Sequence, residues 1–158
     1  MTPARTLGTL LRNLSETLDR AVEAAYRDAG LSYRPRYTPV YRALLSGPAS
    51  IRALSRETGV SHSAVSQTVA QMRRDGLVAL RPGADARERI VELSPAALAL
   101  RPRLERHWDV TEAATLSLER DTGAPISELI ERALAALEDR SMGERIADAD
   151  ARLPSAKE

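Results

Sequence analysis

Cysteine is absent from the 158-residue chain, which excludes disulfide frameworks, thiolate zinc sites, iron–sulfur clusters and a cysteine redox switch. Long apolar runs are missing too, and none approaches the roughly 20 residues that span a bilayer. Residues 1–9 carry Arg5 but no apolar stretch followed by a cleavage signal, so no secretory leader is expected and the cytoplasm is the expected compartment. Histidine is scarce, with His62 and His107 isolated in sequence. There is no glycine-rich phosphate loop, no metal-spaced histidine pair and no Ser–His–acid arrangement tied to a motif. Neither an enzyme nor a cofactor is expected.

Net charge is also low, at +1, but it is unevenly spread. Residues 1–49 hold seven Arg against four acidic residues, residues 50–93 seven against five, and residues 94–158 nine basic against thirteen acidic. A basic front with an acidic tail suits a nucleic-acid binder with a separate assembly region, and it equally suits ordinary solvated charge. Hydrophobic residues at 43% and charged residues at 28% give a globular balance. The length allows one domain with a core, or a small domain with helical extensions.

What the chain has in quantity is helical periodicity. Leu7, Leu10, Leu11, Leu14, Leu18, Val22 and Ala25 recur at three- and four-residue steps and predict a helix over 7–29, stopped by Gly30. A long terminal helix of this kind often buries its stripe on a partner chain. Thr38-Pro39 reads as the cap and first position of a short helix to about Leu45. Ser50 caps a second short helix over 51–58, Gly59 supplies a positive-φ turn, and Ser61 caps a third helix to Asp75, before Gly76. Two helices joined by a short glycine-containing turn form a helix-turn-helix. Stretches 77–81 and 89–93 flank a turn-rich insert and predict a β-hairpin, a wing. Ser94-Pro95 starts a long helix to about Arg120, which Pro102 should kink or interrupt. After Gly123-Ala124-Pro125, a strongly amphipathic helix over 126–140 is expected. Residues 141–158 turn polar and read as a frayed tail.

A helical wheel divides 61–75 into two arcs. Val65, Val69 and Met72 gather on one, the face that packs on the preceding helix. Ser63, Ser66, Gln67, Ala70, Gln71 and Arg74 cover the other, with Arg73 at its edge. Small side chains let a helix sink into the major groove, glutamine bonds adenine N6 and N7 in bidentate fashion, and Ala70 suits a thymine methyl. An ordinary solvated face usually carries Glu and Lys, whereas this helix has no acid before Asp75. His62 sits in the first turn, where it can contact DNA or cap its own helix; recognition-helix geometry favours contact.

The segment from Ile51 to Val78, IRALSRETGVSHSAVSQTVAQMRRDGLV, resembles the helix-turn-helix of the MarR family of regulators. Asp85-Ala-Arg87-Glu-Arg89, leading to Leu93-Ser94, is similar to that family's D-x-R wing and its Leu-Ser/Thr stop. These motifs cover residues 51–94, while the helical order resembles the family over nearly the whole chain. The resemblance implies a mainly α fold with a small β-wing: a winged helix-turn-helix DNA-binding domain at 33–93, flanked by helical dimerisation regions at 1–32 and 94–158. It implies a homodimer on pseudo-palindromic double-stranded DNA. Arg87 matches the arginine that enters the minor groove, whose narrow form concentrates negative potential, and Asp85 matches the acid that orients it. An intra-wing salt bridge is the alternative use of that pair. Arg52, Arg56, Arg73, Arg81 and Arg89 are candidates for phosphate contacts, together with Arg74.

The resemblance further implies a small aromatic or anionic effector bound between the dimer-forming helices and the DNA-binding lobe. Tyr33, Tyr37, Tyr41, His107 and Trp108 are the candidate residues, near Arg34, Arg36 and Arg42. Aromatic stripes are usually core, and inter-helix packing is the stronger reading of these five. A sequence-specific regulator, a repressor released by its effector, is the expected function. The alternative is a winged helix used for protein–protein contact without DNA.

Overall fold

The computed structural model describes residues 6–83 and 88–153. The elements run α1 (Leu7–Asp28), a 3₁₀ turn (Pro35–Tyr37), α2 (Thr38–Leu44), β1 (Ala49–Ser50), α3 (Ile51–Thr58), α4 (His62–Arg74), β2 (Val78–Pro82), β3 (Arg89–Leu93), α5 (Pro95–Thr122), α6 (Ile126–Asp139) and α7 (Met142–Arg152). Two compact units divide at the Thr111–Glu112 boundary.

In the first unit, local signals set the element ends. Beyond α1, Gly30 takes φ +66, and the bonds Gly30 N–H to Arg27 O and Leu31 N–H to Tyr26 O close a Schellman motif. Gly76, at φ +74, does the same for α4 through Arg73 O and Met72 O. Both positions need a residue free to enter the left-handed region. Arg103 of α5 donates to Ala29 O, satisfying a further carbonyl at the end of α1. Thr38 is the first residue of α2 rather than its cap. The preceding 3₁₀ turn already holds Tyr37 in helical geometry, so the chain enters α2 without an extended cap residue.

The sheet order is β1-β3-β2, all antiparallel. Val78 faces Leu93 and Leu80 faces Val91 in the predicted hairpin, while Ala49 and Ser50 add a third strand through Val91 and Ile90. Two residues are too few to show a period of their own, so the sequence pattern did not reveal β1. Leu77 lies outside β2 because its N–H is tied to the end of α4.

The core joins α2, α3, α4 and β3 to the end of α1 and the start of α5. Tyr26, Tyr37, Tyr41, Leu54, Val65, Val69, Met72, Val91 and Leu104 are its largest fully buried side chains. Burying each of the aliphatic ones contributes about 1.5–3 kcal/mol. α5 is not interrupted by Pro102. The carbonyl that Pro102 cannot engage is that of Leu98, an exposed residue.

The second unit is built from the end of α5 with α6 and α7. Glu119 accepts from Ser127 N–H at 2.8 Å and so caps the start of α6, where Pro125 offers no side-chain acceptor. The expected frayed tail is instead α7. Ser141 and Glu144 form a complete capping box at its start, and Arg140 pairs with Asp148. A reciprocal cap satisfies two otherwise orphaned donors, which is enough to start a helix in a polar stretch.

Candidate nucleic-acid interface

The turn between α3 and α4 is closed by side chains. Thr58 Oγ1 donates to Leu54 O and Ser55 Oγ donates to Val60 O, each at 2.7 Å. Gly59 lies at φ +68, and Ser61 Oγ accepts from Ala64 N–H at 3.4 Å. Val65, Val69 and Met72 are fully buried, so the orientation of α4 about its own axis is fixed. His62, Ser63, Gln67, Ala70, Arg73 and Arg74 are exposed, while Ser66 and Gln71 are half-buried. The first turn of α4 carries no acid, leaving its positive dipole end uncompensated beside His62 and Ser63.

A cleft of about 370 Å³ runs between α4 and the wing, lined by Ile51, Ser66, Val69, Ala70, Arg73, Arg74 and Leu80. The structure therefore brings Ser66, Arg73 and Arg74 together beside β2. Arg52 and Arg56 are exposed on α3, and Arg89 is exposed at the start of β3. Arg81 is exposed but engaged, since its guanidinium pairs with Glu92 at 2.9 Å. Such a surface pair contributes roughly 0–1 kcal/mol and gives way readily to a phosphate. Asp85 and Arg87 lie outside the described residues.

Gln71 is held at both ends of its amide. Its Nε2 donates to Asp75 Oδ1 at 2.9 Å, and its Oε1 accepts from Arg74. Asp75 in turn accepts from the Tyr37 hydroxyl at 2.6 Å. The Tyr37 bond, foremost, holds the Asp75 carboxyl below its ordinary range. Sequence reasoning marked Asp75 only as the end of a helix. Its position directly before the Gly76 stop, four residues after Gln71, was the available signal for this contact.

The aromatic residues form one packed cluster. Tyr33 makes edge-to-face contacts with Tyr26, Tyr37 and Tyr41, while Trp108 meets Tyr41 and His107 meets Tyr26, all with ring centroids 5.2–5.9 Å apart. Arg42 lies 4.4 Å over the Trp108 ring, a cation–π contact the sequence pattern did not reveal. Burial pushes the phenols of Tyr33, Tyr37 and Tyr41 up from their ordinary range, so each stays neutral. Packing is thus what the structure gives these side chains. Of the five predicted effector residues, Tyr33 lines a cleft of about 190 Å³, shared with Glu23, Arg27, Leu31, Ser32, Arg34 and Asp75.

Two helices at a tight turn, an exposed second helix and a three-stranded wing define a winged helix-turn-helix protein. Residues 35–88 match the model of the MarR family. It is similar to the MarR family transcriptional regulator SPO1453 from Silicibacter pomeroyi, with 28% identity and a TM-score of 0.60, over 83% of this chain and 94% of that one. The Mycobacterium tuberculosis transcriptional regulator MOSR, solved in complex with DNA, shares its fold at 23% identity and TM-score 0.66, over 94% of this chain and 100% of that one. So does the PcaV transcriptional regulator from Streptomyces coelicolor, solved with its natural ligand, at 21% identity and TM-score 0.66, over 86% and 96%. No curated protein matches the sequence. The family and these neighbours are transcriptional regulators, and among the described residues no helix is long and apolar enough to cross a membrane.

Proposed function

We propose that the chain is a homodimeric, sequence-specific DNA-binding transcription regulator, a repressor released by a small aromatic or anionic effector. The observation that carries this reading is the solvent face of α4. Gln67, Ser63 and Ala70 stand exposed on a helix with no acidic residue, flanked by Arg73 and Arg74 and by Arg52 and Arg56 of α3. Amide and small side chains read base edges, whereas the arginines neutralise phosphates and supply affinity. Arg89 and, by resemblance, Asp85 and Arg87 add the wing. MOSR, whose structure was solved on DNA, has the same fold.

Assembly as a dimer is supported by apolar surface that the single chain leaves uncovered. Leu7, Leu10, Leu11 and Leu18 of α1 are exposed, as are Leu129, Ile130, Leu134 and Leu137 of α6 and Met142 and Ile146 of α7. Stripes of this size mark protein interfaces. Residues 1–32 and 94–158 are accordingly the dimerisation region, and 33–93 the DNA-binding domain. The effector would enter the cleft at Tyr33, where Arg27 and Arg34 suit an anionic group. PcaV, solved with its natural ligand, supports control by a small molecule. A regulator of this kind works in the cytoplasm and has no catalysis of its own.

Selection of bound duplex from a random pool tests the reading. A pseudo-palindrome with half-site centres about one helical turn apart is expected, and failure to enrich any sequence would overturn it. Titrating aromatic carboxylates while following Trp108 fluorescence and DNA release tests the effector. Silence in both signals would exclude that class of ligand.

A further inference from the structure

Four residues form an unbroken hydrogen-bonded chain from the core to the solvent face of α4. Tyr37, fully buried and edge-on to Tyr33, donates its hydroxyl to Asp75 Oδ2. Asp75 Oδ1 accepts from Gln71 Nε2, and Gln71 Oε1 accepts from the guanidinium of Arg74. The direction of the chain is fixed by charge. With its nitrogen toward the carboxylate and its oxygen toward the guanidinium, the Gln71 amide is matched at both ends. Flipping it would set an N–H against Arg74 and a carbonyl oxygen against Asp75. A long, flexible arginine is thereby given one preferred direction, and ordering it before association lowers the entropy that binding must otherwise spend.

We propose that Gln71 and Tyr37 are positioning residues for DNA binding: they aim Arg74 at a phosphate, and Gln71 does not read a base. The proposal rests on the DNA-binding reading of α4. It assigns base discrimination on this face to Gln67, which has no hydrogen-bond partner among the described residues and keeps both ends of its amide free. It also couples the buried aromatic cluster to the binding surface, because Tyr37 bonds Asp75, the residue that caps the end of α4.

The test uses the full chain and the duplex that the wild type recovers from a random pool. Gln71→Met keeps the length of the side chain and removes both amide bonds at a half-buried position. Tyr37→Phe keeps the buried ring and removes only the hydroxyl. Each should weaken binding about eightfold per half-site at 0.1 M salt and lower the salt slope by about 0.9, the effect of losing one phosphate contact. Base preference should stay unchanged at every position. In an Arg74→Ala background neither substitution should cause any further loss. A merely structural role predicts losses that add in that background, and this outcome would overturn the proposal. So would relaxed preference at one base pair in Gln71→Met with the slope intact, which would make Gln71 a reader. Should Tyr37→Phe fold poorly, the Gln71→Met and Arg74→Ala cycle decides alone. A wild type that recovers no duplex would instead overturn the DNA-binding reading itself, and the proposal with it.

Discussion

The hydroxyl of Tyr41 donates to the main-chain carbonyl of Ala97 at 2.6 Å, across 56 residues of sequence. Both residues are fully buried, so this bond fixes α2 against the first turn of α5 without help from water. Tyr41→Phe keeps the edge-to-face contacts with Tyr33 and Trp108 and deletes only the donor. It should lower unfolding stability by about 1 kcal/mol, seen in urea as a lower midpoint at unchanged slope. Tyr41→Leu should cost more, since aromatic pairs add about 0.5–1.5 kcal/mol each. An unchanged midpoint in the Phe variant would show that the bond contributes nothing.

That bond also marks the boundary of what was legible in the sequence. The caps at Ser50, Ser61 and Ser94 and the turns at Gly59 and Gly76 are local devices, and each lies where the spacing put it. The Val65, Val69 and Met72 arc was equally clear, because burial repeats along a helix. Long-range pairing left no such trace: Tyr41 with Ala97, Tyr37 with Asp75, and β1 with β3 join segments whose local patterns do not mention each other. Two departures have different causes. Pro102 lies inside a helix that continues to Thr122 without interruption, and Leu98, whose carbonyl it leaves without a helical donor, is an exposed residue. At Ser141 the Ser-x-x-Glu cap starts a helix whose composition over 142–152 is polar.

Asp75 should give the acid limb of stability a recognisable component. Its carboxyl lies below the ordinary 3.8, held there first by the Tyr37 hydroxyl and further by Gln71, Arg34 and Arg74. A folded value below the unfolded one contributes stability that is fully present above the ordinary value and is lost as pH falls through the lowered one. The difference in unfolding free energy between wild type and Asp75→Asn should therefore be flat from pH 7 to about 5 and shrink below about pH 4. Because Asp75 is solvent-exposed, the effect should also weaken with added salt. A difference independent of pH down to about 3 would contradict the lowered value.

Ser141→Ala should loosen α7 specifically. Ser141 Oγ accepts from Glu144 N–H at 3.3 Å, and the Glu144 carboxylate accepts from Ser141 N–H at 2.8 Å. No side chain of α7 is buried in the single chain, so its helicity depends on the cap more than a core helix would. Loss of the hydroxyl should cost about 1 kcal/mol of local helix stability. Amide hydrogen exchange across 142–152 is expected to quicken while exchange in α4 stays as it was. Equal rates in variant and wild type would show that α7 does not rely on this cap.

Gln67 and Arg73 should separate on the two quantities that define a DNA reader. Gln67 is exposed on α4 and, among the described residues, free at both ends of its amide, so it can meet a base edge without first breaking an internal bond. Gln67→Ala should remove about 1–3 kcal/mol of discrimination at one base pair per half-site, leaving the salt slope unchanged because no charge is lost. Arg73 is exposed at the edge of the same face, along the cleft beside the wing. Its replacement by Ala should weaken binding evenly across sequences and lower the slope by about one per half-site. Binding selections at two salt concentrations measure both quantities together. If Gln67→Ala lowered the slope, or left base preference intact, the amide would be serving affinity rather than recognition. The near-neutral centre of α4 would then need another source of specificity, and the wing would be the remaining one.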